Sequence, residues 1–167
     1  VEHEAIVNLL RGPDPVVVDA GAIALAVDAT APVVVTPHAG EFARLREQLG
    51  LPGVDVSDVA SEVVGTAAAL GHVVVRKGAQ TVIASADGTS IEVSAGTPWL
   101  SSAGTGDVLA GIIGAVVAAD AVRAAADSAH LAALAATGVC IHGTAARVAT
   151  GQLDLSRIGA DLAASVG

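Results

Sequence analysis

In 167 residues the chain has no Tyr and no Met, and only one each of Phe, Trp and Cys. Its core must therefore be built from Ala, Val, Ile and Leu, whose modest size lets helices lie close against strands. The lone Cys140 excludes an internal disulfide, and without a CxxC or a His/Cys cluster there is no sign of a zinc or iron–sulfur site. Cys140 lies in an apolar run and reads as a small buried hydrophobe rather than a reactive thiol. Basic residues are scarce: 8 Lys and Arg stand against 17 Asp and Glu, a formal net charge of −9. So acidic a surface repels polyanions, which argues against nucleic acid as a partner. It still accommodates a single nucleotide, because loop amides, a helix N-terminus and a divalent metal neutralise a few phosphates locally.

Charge is low overall, at 15%, and the hydrophobic share is 53%, a composition that excludes disorder. The apolar stretch Val108 to Ala119 runs for about 12 residues, short of the ~18 that span a bilayer. Asp120, Arg123 and Asp127 follow it. Val1 to Leu10 carries Glu2 and Glu4 and does not resemble a signal peptide. The expectation is a soluble, cytoplasmic protein with no membrane partner, residues 1–167 forming one domain.

What is present alternates between strand and helix signals. Val16-Val17-Val18, Val33-Val34-Val35 and Val73-Val74-Val75 are continuous β-branched runs bounded by Gly, Pro or polar residues. Such runs fit strands buried on both faces of a parallel sheet. Helices are expected over Ala22–Ala29, Glu41–Leu49 and Ser57–Leu70, the last with Ser57 as N-cap and Gly71 as stop. Thr81 to Ser94, with Asp87-Gly88 at its centre, reads as an antiparallel hairpin. The last third reads as helices over Asp107–Ala119 and Val122 to about Ala149, broken near Gly138 or Gly143, with a short one over Leu155–Ser165. The fold class is α/β: a layered α/β/α arrangement around a mostly parallel sheet, with the hairpin appended. Three or four parallel strands make a thin sheet for so apolar a chain, which leans towards self-association or a partner covering the first strand.

Leu100 to Gly111 is the segment richest in chemistry, a loop of small residues feeding an apolar helix. Gly104 and Gly106 let backbone amides approach a ligand, and the helix start adds unpaired N–H groups and the positive end of the dipole. Together with Thr105 they would form an anion hole for a phosphoryl group. Asp107, in the first turn, has two readings: a dipole partner or N-cap, and a base for a substrate hydroxyl. The segment is not a P-loop, since Ile112 and Ile113 follow Gly111 where Lys and Ser/Thr are required. Nor is it a Rossmann fingerprint, because the third glycine comes late and Pro98 and Trp99 interrupt the preceding strand.

Ala103-Gly104-Thr105-Gly106-Asp107, followed by Val108-Leu109-Ala110-Gly111, resembles the signature of the ribokinase-like superfamily in its NAD(P)H-hydrate dehydratase branch. Thr36-Pro37-His38-Ala39-Gly40-Glu41 resembles that branch's TPHxGE motif. Lys77-Gly78-Ala79-Gln80-Thr81 is similar to its adenine-nucleotide segment. Val16 to Ala22 resembles its DADAL strand end, with Gly21 where an acidic residue is usual, and Ile141-His142-Gly143 fits its late helix. The resemblance covers roughly residues 12–150. It implies a ribokinase-like fold and repair of hydrated NADH or NADPH (NADHX, NADPHX). ADP or ATP would phosphorylate the ring hydroxyl and phosphate would then leave. It further implies Asp107 as catalytic base touching the hydrate, and His38 as a second contact to the hydrate. Gly104, Thr105 and Gly106 would form the anion hole. Lys77, Gly78, Ala79, Gln80, Thr81 and Gly106 would hold the nucleotide, and Mg²⁺, with no protein ligands identified, would bridge its phosphates. The family's domain is longer, and its early GPGLG-type loop has no counterpart beyond Arg11-Gly12-Pro13. The expectation is a chain lacking the family's N-terminal portion, which a partner chain or segment would supply, within a homo-oligomer.

Plainer readings stand beside these. His38 could cap the next helix, Glu41 could complement its dipole or join a metal shell, and Lys77 could be a solvated strand end. Trp99 could stack on a ring or simply pack. His130 and His142 lie on apolar helical faces and read as hydrogen-bonded structural histidines, whereas Asp19 ends a strand where α/β sheets place ligands and is a candidate for the substrate or metal side. Two other functions remain open: a kinase of a small alcohol (a thiazole, a pyrimidine or a sugar), and a truncated, non-catalytic ADP- or AMP-binding module.

Overall fold

Three valine runs form the parallel half of one sheet. In the computed structural model, which describes residues 2–94 and 104–148, β1 (Val16–Val18), β2 (Val33–Val35) and β3 (Val73–Arg76) lie side by side. Val17 stands opposite Val34, and Val34 opposite Val73. β4 (Thr81–Ala84) and β5 (Ser90–Val93) add the antiparallel hairpin, giving the order β1-β2-β3-β4-β5. Gly88, at φ 91°, turns the hairpin. Asp87 fixes that turn, accepting from the Ser85 hydroxyl at 2.5 Å and the Thr89 amide at 2.9 Å. The Ser85 hydroxyl first, then Thr89 and Ser128, hold the Asp87 carboxyl down to about 2.

Successive strand residues face opposite sides, and the chain fills both. Val33, Val35, Val74 and Val82 enter one core with a 3-10 segment (Ala20–Asp28), α2 (Ala39–Gln48) and α3 (Val59–Leu70). Val34, Val73, Val75 and Ile83 enter the other with α4 (Thr105–Ala119), α5 (Ala121–Ala126) and α6 (Ser128–Val148). The layered α/β architecture is as expected. A further helix not anticipated, α1 (Glu2–Leu9), leads into Leu10, whose carbonyl accepts from the amides of Thr30 and Ala31. Among the described residues β1 pairs only with β2, and beside its outer side lies an apolar hollow of about 1090 Å³ bounded by α1, β1 and α4.

Several expectations need correction. The short helix expected over Ala22–Ala29 is a 3-10 segment starting two residues earlier, Ala20–Asp28, its end tightened by the Ala29 amide bonding back three residues to Ala26. α3 is capped not by Ser57 but by Asp58, which accepts from the Ser61 amide at 3.2 Å, while the Ser57 hydroxyl bonds Asp55. The break in the long C-terminal helix falls at Asp127, and α6 runs unbroken through Gly138 and Gly143. Gly138 marks a contact rather than a stop: a Cβ there would lie 2.8 Å from Cγ1 and 3.0 Å from Cα of Ile113. Cys140 is exposed, not buried. Among the described residues α6, not Val108–Ala119, is the one helix long and apolar enough to cross a membrane, and more than half of its most apolar stretch is packed inside the protein. The expected helix over Leu155–Ser165, and Trp99, lie outside the described residues.

Candidate active site

Parallel strands deliver their C-terminal ends to one rim, where the candidate residues gather. Asp19 follows β1 and Lys77 follows β3, and the Lys77 ammonium donates to Asp19 Oδ1 at 2.8 Å. The Lys77 side chain is only 19% exposed and that of Asp19 13%, so Lys77 is not a solvated strand end. Burial alone would raise the Asp19 pKa. The hydrogen bonds from Lys77, the Thr36 hydroxyl and the Ala20 amide, with the Lys77 charge, outweigh it and hold the carboxyl below its ordinary value. Ala20 has φ 51°, a left-handed conformation that a residue with a Cβ adopts only when its surroundings demand it. The loop after β2 is stitched between the same strands: the Thr36 amide donates to Val18 O, and the Lys77 amide donates to Pro37 O.

The start of α4 meets this ion pair. A Cβ on Gly106 would sit 3.2 Å from Lys77 Nζ and 3.4 Å from Asp19 Oδ2. Gly104, at φ 85°, occupies the N-cap position without a side chain to close it. Thr105 is buried, and Asp107 is exposed in the first turn. Asp19, Lys77 and Gly106 therefore converge, with Asp107 next to Gly106 in the same first turn. Asp19 faces Lys77 at this rim.

Around this centre the nucleotide candidates form the root of the hairpin. The Thr81 hydroxyl donates to Gly78 O at 3.2 Å, and the Gln80 amide donates to Glu92 at 2.6 Å. Gly78 sits so close to the Arg76 guanidinium that a Cβ would come within 2.6 Å of its Nη1. Gly78, Ala79 and Gln80 are exposed.

His38 caps α2. Its Nδ1 accepts from the amides of Gly40 and Glu41 at 3.0 and 3.3 Å, and Glu41 accepts from the His38 amide at 2.8 Å. Glu41 Oε1 also lies 3.5 Å from His38 Nε2. The plainer readings of both residues thus describe real contacts, while the ring, 56% exposed, still faces outward. Beside them, between the 3-10 segment and α2, lies a hollow of about 350 Å³ lined by Ala20, Gly21, Glu41, Arg44 and Gln48. His130 bonds Asp120 at 2.9 Å and fastens α6 to the end of α4. His142 is buried, and its Nε2 has no partner among the described residues. Its burial lowers the pKa and favours the neutral ring. Among the described residues no group of three or more His, Cys, Asp or Glu is placed to hold a metal ion.

The family profile described as NAD(P)H-hydrate dehydratase (Carb_kinase) matches residues 2–164. The chain belongs to this family. It is 36% identical over 127 residues to the bifunctional NAD(P)H-hydrate repair enzyme Nnr of Corynebacterium glutamicum, covering 68% of this chain and 22% of that protein. With the ADP-dependent (S)-NAD(P)H-hydrate dehydratase of Bacillus subtilis the identity is 39% over 114 residues, 66% of this chain and 40% of the relative. The chain thus spans less than half the length of either family relative. A crystal structure of the B. subtilis ADP/ATP-dependent NAD(P)H-hydrate dehydratase, co-crystallised with ATP and Mg²⁺ and soaked with CoA, superposes with a TM-score of 0.74 at 29% identity. It covers 98% of this chain and 60% of that one. A ribokinase-like superfamily protein of Enterococcus faecalis, at 24% identity and a TM-score of 0.62 over 90% of this chain and 51% of that one, shares the fold.

Proposed function

We propose that the chain carries the catalytic half of an ADP- or ATP-dependent dehydratase for NADHX and NADPHX. The carrying observation is the convergence of Lys77, Asp19 and Gly106 at the start of α4, beside an exposed Asp107 in the same first turn, in a chain of this family. A nucleotide lying along the hairpin root would find Lys77 to Thr81 for its AMP portion. Its transferring phosphate would point at Gly104, Thr105 and Gly106, where amides and the helix dipole stabilise developing charge. Asp107 would orient the hydroxyl of the hydrated ring and accept its proton as oxygen attacks phosphorus. The transfer would release AMP from ADP or ADP from ATP. The phosphate on the ring then leaves far more readily than hydroxide, and its departure together with a proton from the adjacent ring carbon would restore the double bond of NADH or NADPH. The exposed ring of His38 would face the hydrate while its other edge keeps the α2 cap. The described residues supply no acidic cluster for Mg²⁺, so the ion would arrive on the nucleotide phosphates.

This reading places the protein in the cytoplasm with α6 as a core helix. It has the protein acting as a homo-oligomer or beside a chain or segment that supplies the family's glycine loop. The deciding experiment is absorbance at 340 nm with the purified protein, NADHX, Mg²⁺, and ADP or ATP. A nucleotide-dependent rise is expected. Accumulation of a stable phosphorylated alcohol would instead indicate a small-alcohol kinase, and ADP binding with a flat trace would indicate a binding module without turnover.

A further inference from the structure

We infer that Asp19 is a positioning residue: its carboxylate holds the Lys77 ammonium against the first turn of α4, where the nucleotide phosphates are received. The inference rests on the nucleotide-binding reading above and adds a residue to it. Left alone, a lysine at a strand end keeps a flexible four-carbon stem and a strongly hydrated head, and its ammonium samples solvent. Here the stem is largely buried and the head is fixed by a 2.8 Å bond to Asp19 Oδ1.

Electrostatics explains why a carboxylate is needed. The start of α4 is the positive end of a 15-residue helix, and an ammonium placed beside it is repelled unless an anion lies between or alongside. Asp19 is that anion, its Oδ2 only 3.4 Å from where a Gly106 Cβ would stand. The strand end that carries the carboxylate is held by Thr36, whose amide and hydroxyl both donate to Val18 O, and the left-handed turn at Ala20 fixes the direction in which the chain leaves Asp19. Of the three N–H donors on Lys77, Asp19 accepts one, leaving two for phosphate oxygens. Gly106 completes the arrangement by leaving out the side chain that would fill the gap.

The test is calorimetric titration of the wild type, Asp19→Asn, Lys77→Met and the double variant with ADP and, separately, with adenosine. Asp19→Asn and Lys77→Met are each expected to weaken ADP binding about tenfold, the scale of one charge-assisted hydrogen bond to phosphate. The double variant should be no weaker than Lys77→Met, because Asp19 acts through Lys77. Adenosine, which has no phosphate, should bind all four alike. Asp19→Glu keeps the charge and the fold but pushes the ammonium one methylene away, and it should show the same selective loss. Wild-type affinity for ADP in both Asp19 variants, equal losses for ADP and adenosine, or losses that add in full in the double variant would each overturn the inference. Turnover of NADHX is read separately. Turnover with ADP binding indifferent to Asp19 sinks this inference alone, while the expected ADP pattern without turnover sinks the dehydratase reading alone. A wild type that binds no ADP overturns this inference as well.

Discussion

Two helices begin near the same rim, and they begin differently. α2 is closed by its own residues: the His38 ring and the Glu41 carboxylate bond each other's backbone reciprocally, so the first turn is satisfied without a ligand. α4 is preceded at its N-cap by Gly104, which has no side chain to offer, and a largely buried ammonium and a carboxylate crowd beside its second residue. A helix start completed by its own side chains is a structural joint. One flanked by glycines and a charge pair is, on the reading proposed above, a place for something else to bind. The TPHAGE segment builds the first kind and the AGTGD segment the second, although both look like helix entries on paper.

The contrast can be broken by substitution. The largest effect is expected at α4: Asp107→Asn should lower NADHX turnover about a thousandfold, within the range of lost general-base catalysis, while ADP affinity by calorimetry stays within a few-fold. Near-normal turnover would make Asp107 a dipole partner only. Next, Gly106→Ala places a methyl 3.2 Å from Lys77 Nζ. A few-fold loss of ADP affinity is expected, with the unfolding temperature held or raised because alanine suits a helix; unchanged affinity would show that the ammonium does not matter at that spot.

At α2 the expected damage is to stability. His38→Ala removes an N-cap and should cost about 1 kcal/mol in denaturant unfolding. His38→Asn, which can still cap, should restore that stability, so any rise in KM for the hydrate that persists in the Asn variant measures the ring's contact with substrate. If both variants keep a normal KM, His38 is a cap and nothing more. The smallest effect concerns pH. Asp19 has a folded pKa below its ordinary value of 3.8, so its contribution to stability is present above that value and fades as pH falls through the lower, folded one. Unfolding curves of wild type and Asp19→Asn should therefore differ at neutral pH and draw together in strong acid. A constant gap across that range would mean that the Asp19 carboxylate charge contributes nothing to stability.

Much of the fold was legible because the local signals agreed with the global one. Valine triplets without alternation can scarcely be anything but buried parallel strands, and Asp87-Gly88 turns a hairpin wherever it lies between strand-formers. Other features were not written locally. A segment so short is too brief to separate a 3-10 period from an α period, so the sequence showed only a helix over Ala22–Ala29 where a 3-10 segment spans Ala20–Asp28. A glycine in a helix looks like a stop from sequence, and only the neighbour at Ile113 shows that Gly138 is a close-packing point. Cys140 sits among apolar residues, yet the helix phase that buries Val139 and His142 turns Cys140 outward. In the site, Gly104, Gly106, Asp107 and Lys77 announced themselves by motif. The Asp19–Lys77 pair did not, because its members are 58 positions apart in the chain and nothing local links a strand-ending aspartate to a strand-ending lysine.

The close approach at Gly138 has a mechanical meaning for the site. With a backbone atom of α4 only about one atomic contact from α6 there, the two helices cannot slide past each other without a steric clash or tilt apart without opening a void, and a packed interior yields little. A second tie lies further along, where His130 of α6 bonds Asp120 at the end of α4. The helix that carries Asp107 is thus splinted along its length. On the proposed reading, a phosphate pulling on its first turn would act on the α4–α6 pair as one body, and adjustment to the ligand would fall to the loops around the site rather than to the helix.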